Sequence, residues 1–179
     1  MSQSANFARS YRCQNLRADK LEDAIAKFRE AVRLAPTIFI HHEDLAVALR
    51  DHGDVAEAIE ELRDTMHLAP TLAQPYIELS DLLLQQGRLN DTLENYKTAI
   101  KNVPDNSSLH GKLALVLQRM ADRENGDQKF ALLREACAEL ISASKLSFAD
   151  ADLASLTAAR NRFIAELKRS MCYVMDYLV

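Results

Sequence analysis

The chain has 179 residues, of which 48% are hydrophobic and 27% charged, with four glycines, four prolines, three cysteines and a formal net charge of −4. That balance excludes the surplus of Lys and Arg that nucleic-acid binding uses to displace counterions. It offers no run of about 18 apolar residues for a membrane span, and residues 1–20 are polar, without the apolar core of a signal peptide.

In chain order, the first helical stripe carries Ala24, Phe28 and Ala31 and stops before Pro36. A second stretch holds Leu45 and Leu49. Asp51-His52-Gly53-Asp54 interrupts it, and Val55, Ile59, Leu62 and Met66 then lead to Pro70. A third stretch repeats the scheme: Leu79 and Leu83, a break at Gln85-Gln86-Gly87-Arg88, then Thr92, Tyr96 and Ala99 before Pro104. Apolar residues three and four apart are the signature of an amphipathic helix. Glycine at each break tolerates the left-handed conformation that ends a helix, with Asp54 and Asn90 expected to cap the helices that follow. Each proline blocks continuation of the helix before it. A fourth stretch departs from the scheme. It has no proline, carries an insertion over Asp122–Asp127 with an Asn125-Gly126 turn, and resumes as a helix over about 128–145 with Phe130, Leu133, Ala136, Cys137, Leu140 and Ile141 on one side. A last helix is expected over 150–177, and its end, 171–179, holds one charge in nine residues.

Pro36, Pro70 and Pro104 stand 34 residues apart, as do Gly53 and Gly87, Leu45 and Leu79, and Leu49 and Leu83. A fixed period of this length marks a repeat architecture. Over roughly 19–121 the pattern resembles the tetratricopeptide repeat family, whose unit is a 34-residue helix-turn-helix. Its characteristic places are filled by His42, Leu45 and Ala46; by Tyr76, Leu79 and Ser80; and by His110, Leu113 and Ala114. The resemblance implies an all-α, right-handed α-solenoid in a single domain over 1–179. Units fall at about 5–38, 39–72 and 73–106, followed by a divergent helix pair over 107–148 and a C-terminal capping helix over 150–177. Tyr11 and Arg12 depart from the pattern in the first helix of the first unit.

In this family the first helix of each unit lines a concave groove. The resemblance places Ile40, Glu43, Asp44, Val47, Arg50, Gln74, Ile77, Glu78, Asp81 and Lys112 there as the partner-binding residues, with Arg9, Cys13 and Arg17 less securely. Residues 39–106 carry five Lys/Arg against thirteen Asp/Glu, between mildly basic ends. Glu43, Asp44, Glu78 and Asp81 would repel one another in one trough unless Arg50 or a bound cation offsets them. The groove is therefore expected to take a basic or amphipathic segment. It does not suit an acidic chaperone tail, because the family's carboxylate-clamp places hold Arg9, Cys13, Asp44, Gln74 and Glu78, of which Arg9 alone fits.

Motifs for chemistry are missing. His41-His42-Glu43 lacks the i, i+4 histidine spacing of a zinc-protease helix, and His42 and His110 occupy packing places. There is no Gly-rich phosphate loop, nucleophile elbow or paired Cys motif, and Cys13, Cys137 and Cys172 are spread as reduced thiols would be. The expectation is a non-catalytic, cytoplasmic interaction scaffold with no cofactor and no metal. It binds a protein or peptide, with self-association as a further option and neither nucleic acid nor membrane as a partner. The alternative is a regulatory or substrate-recruiting segment of a larger enzyme such as a transferase.

Overall fold

In the computed structural model, residues 18–146 are described, together with 158, 161–162 and 164–165. The first helix of the first unit, with Arg9, Cys13 and Arg17, and the apolar tail 171–179 lie outside the described residues. Of the expected last helix, the described positions Ala158, Asn161, Arg162, Ile164 and Ala165 are helical.

Seven helices and no strands make up the continuous described stretch, so the fold is all-α. They are α1 (Ala18–Leu34), α2 (Phe39–His52), α3 (Val55–Leu68), α4 (Ala73–Gln85), α5 (Leu89–Asn102), α6 (Ser107–Ala121) and α7 (Gly126–Leu146). None of these is long and apolar enough to cross a membrane. The chain falls into two compact units that divide between Gln86 and Gly87.

Local chemistry sets the helix ends. Pro36, Pro70 and Pro104 each stand two residues past a helix, and the same backbone turn spans each one. The N–H groups of Ile38, Leu72 and Asn106 donate to the carbonyls of Ala35, Ala69 and Val103 at 3.2, 3.2 and 3.4 Å. Pro75 sits in the first turn of α4, where its missing N–H removes no helical bond. Gly53 adopts φ 104°. It lets the Asp54 N–H reach the Leu49 carbonyl at 2.9 Å while its own N–H reaches Arg50 at 3.2 Å, the paired bonds of a glycine helix stop.

Of the two expected caps, Asp54 stands at its place without forming the side-chain bond and Asn90 is displaced. Asp54 precedes α3 but makes no side-chain cap bond, because its Oδ2 is taken by His52 Nδ1 at 2.8 Å. Asn90 lies inside α5, whose preceding residue is Arg88. The cap that forms is Asn106, whose side chain accepts from the Leu109 N–H at 3.2 Å.

In the unit ending at Gln86, α2 packs on α1 and α3, and α3 packs on α4. Its core includes Phe28, Leu45, Leu49, Leu62, Leu79 and Leu82, all nearly sealed from solvent. In the unit starting at Gly87, α6 packs on α5 and, more extensively, on α7, burying Tyr96, Leu109, Leu113, Leu117, Leu133 and Leu140. Removal of this apolar surface from water is the main term holding each unit together.

A longer period overlies the 34-residue one. Arg29 of α1 donates to Glu57 of α3 at 2.7–3.1 Å. Sixty-eight positions after Arg29, Lys97 of α5 pairs with Glu135 of α7 at 3.3 Å. Likewise His42 of α2 meets Glu61 of α3 at 2.7 Å, and His110 of α6 meets Glu139 of α7 at 2.6 Å. The histidine partner is 19 residues away in the first case and 29 in the second. The α6–α7 connection and the start of α7 thus accommodate ten extra residues without losing the register of the pair, more than the six-residue insertion legible in the sequence.

Candidate partner-binding site

The face expected to bind a partner is built in the first unit by α2 and α4. Ile40, Glu43, Val47 and Arg50 recur on α2 at steps of three and four, which keeps them on one side of the helix. Gln74, Ile77, Glu78 and Asp81 do the same on α4. Arg50 reaches across from α2 to α4: its Nη1 lies 3.8 Å from Glu78 Oε2, while its Nη2 bonds Asp51 at 2.7 Å. The other oxygen of Glu78 accepts from Gln74 Nε2 at 2.8 Å. Lys112 lies on α6, half-buried, in the second unit.

The four carboxylates are not equivalent. Glu78 is 8% exposed and Asp44 9%, whereas Glu43 is half-buried and Asp81 exposed. A buried carboxylate is costly unless bonded, and Gln74 and Arg50 supply that compensation for Glu78 from within the chain. The most exposed groups of this face are Ile40, at 38%, with Gln74 and Asp81. Val47 and Ile77 are half-buried beside them.

The sequence places its candidate residues on the first helix of each unit, which leaves out Glu61 on α3 and Glu139 on α7. Both reach back to a buried histidine. His42 and His110 are 5% and 9% exposed, in keeping with packing between helices. His42 Nε2 lies 2.9 Å from the Pro36 carbonyl oxygen and its Nδ1 2.7 Å from Glu61 Oε2. Burial opposes a charge on His42, but the Pro36 bond and Glu61, with Asp64 behind it, outweigh burial and raise its pKa above the ordinary value.

Nδ1 of His42 and oxygens of Glu61 and Asp64 lie within 4.8 Å of one another, near enough to consider a divalent cation. The details fit hydrogen bonding better. Two ligands each about 2.1 Å from one tetrahedral ion stand more than 3 Å apart, whereas Nδ1 and Glu61 are separated by 2.7 Å and Asp64 by 3.9 Å. The matching pair His110–Glu139 has Ser142 at the place of Asp64, and it keeps the same geometry.

A second concavity, not anticipated from sequence, opens at the start of α5. Its volume is about 390 Å³, and Arg88, Asp91, Arg123 and Glu124 are among its lining residues. Two cations face two anions there, and Arg88 is already bonded to Asp91 at 2.5 Å. It therefore has no charge preference comparable with the acidic face of the first unit.

Residues 15–73 match a family model described as a tetratricopeptide repeat. No curated protein matches the sequence. Among solved structures, the crystal structure of MamA matches over 86% of this chain and 92% of its own, with 16% identity and a TM-score of 0.52. That of YrrB, described as a TPR protein with an unusual peptide-binding site, matches over 88% and 76%, with 15% identity and a TM-score of 0.56. A monomeric mutant of IFIT1 with Gppp-AAAA matches over 83% of this chain but 36% of its own, at 21% identity and a TM-score of 0.54. At such identities the likeness establishes the fold.

Proposed function

We propose that this chain, a tetratricopeptide repeat protein with an all-α helical-repeat fold, is a non-catalytic interaction module whose α2–α4 face holds a basic or amphipathic protein segment. The observation that carries this reading is the pairing of accessible apolar and acidic groups on one face, Ile40 beside Glu43 on α2 and Ile77 beside Asp81 on α4. An amphipathic helix lays its apolar side on such a surface and its Lys or Arg side chains against the carboxylates. Complementary charge of this kind sets partner choice and association rate more than affinity. The peptide-binding site named for YrrB lends support by analogy of fold. The acidic balance of residues 39–106 argues against a nucleic acid such as the Gppp-AAAA of the IFIT1 structure. A recruiting segment of a larger enzyme would use the same face and bind the same kind of peptide.

The test is fluorescence polarisation with helical peptides of equal apolar content that are basic, neutral or acidic. The basic peptide binds best, and its affinity falls as salt screens the contact. Glu43→Lys/Asp81→Lys weakens it by about tenfold or more, roughly 1.4 kcal/mol. Those two are the informative positions, since reversing the buried Asp44 or Glu78 would test folding instead. Preference for the acidic peptide would overturn the reading.

A further inference from the structure

Three successive first helices are fastened to the preceding turn in the same way. His42 Nε2, Tyr76 Oη and His110 Nε2 each reach the carbonyl of the proline six residues earlier, Pro36, Pro70 and Pro104, at 2.9, 3.2 and 3.0 Å. The tyrosine hydroxyl has one hydrogen to donate and carries no charge at neutral pH. The histidines have a second nitrogen to satisfy, and in both cases it faces a carboxylate: Glu61 at 2.7 Å and Glu139 at 2.6 Å. In the register of the repeat, the place of Glu61 is occupied after Tyr76 by the neutral Asn95. Histidine therefore comes with glutamate twice, and tyrosine with asparagine once.

A carbonyl and a carboxylate both accept hydrogen bonds, and a neutral imidazole has one N–H to give. Both contacts are met together by the imidazolium. From this geometry we infer that His42 forms a proton-dependent joint, closed when the ring carries both protons and weakened when it loses one, whereas the joint at Tyr76 is indifferent to pH. Loss of the proton leaves a ring lone pair against either the Glu61 carboxylate or the Pro36 carbonyl in a site that admits little water, so one of the two contacts must open and the α2–α3 contact loosens. Around His42 the charged groups on α3 are Glu61 and Asp64.

The direction follows from linkage. The folded state of His42 holds its proton more tightly than the unfolded chain does. Its contribution to stability is therefore fully present below the ordinary histidine pKa and lost as pH rises through the raised folded value. The joint ties α2 to α3 within a single compact unit, so the device does not depend on what the α2–α4 face binds.

Two measurements test this on the whole chain. Thermal melts between about pH 6 and pH 8.5 should show the melting temperature of the wild type falling by about 2–8 °C. His42→Tyr, which copies the Tyr76 joint, should flatten most of that dependence. Nitrogen-resolved NMR of the histidine rings, which needs no variant to fold, should show the His42 ring still largely doubly protonated near pH 7. Equal pH slopes for wild type and a folded variant, or a His42 ring already mostly neutral near pH 7, would overturn the inference.

Discussion

Gly53 illustrates how a single residue fixes a repeat. At φ 104° a side chain is disfavoured by its own backbone, although an added Cβ would meet nothing within 4 Å. Gly53→Ala should therefore destabilise by about 1 kcal/mol through conformation alone, read as a lower urea midpoint with an unchanged slope. Leu49, fully buried between α1, α2 and α3, behaves differently. Leu49→Ala should cost about 2–5 kcal/mol, because the site keeps a cavity. Both residues were legible in the sequence, Gly53 as a break and Leu49 as a member of the stripe. Glu61 and Glu139 were not. Periodicity along one helix says which face a residue occupies, but it does not say that a carboxylate 19 or 29 residues away will meet a particular histidine.

At the scale of the element, the helix ends show where sequence signals compete. Asp54 has the chemistry of a cap, yet its carboxylate is drawn to His52. Asp54→Ala should consequently cost less than Asn106→Ala, for which about 0.5–2 kcal/mol is expected; chemical denaturation of the two variants decides the order. Ile38 precedes α2 with φ −95° and ψ 102°, almost the angles of Asn106 before α6 at −95° and 101°. Ile38 makes no side-chain cap, and it is 38% exposed. Ile38→Asn should therefore gain a bond to the N–H of His41 and raise stability by about 0.5 kcal/mol. The helix lengths were legible from prolines and glycines, because those residues act locally. The cap assignments were not, because a side chain two residues away bids for the same carboxylate.

For the whole molecule, the 34-residue interval identified the fold, and the recurrence of ion pairs at twice that interval refines it. The α1–α2–α3 and α5–α6–α7 triplets use the same kinds of pair at the same places, one of them across ten extra residues. What the sequence left open was the character of the acidic face, since burial separates carboxylates that look alike in a string. Glu78 is held by Gln74 and Arg50 as part of the structure, while Asp81 is exposed. The measurement that bears most directly on this account is amide chemical-shift mapping with the basic amphipathic peptide. The account predicts that shifts concentrate along α2 and α4, at Ile40, Glu43, Val47, Ile77 and Asp81, and vanish with Glu43→Lys/Asp81→Lys. Shifts confined to α3, or to the pocket around Arg88 and Arg123, would contradict it.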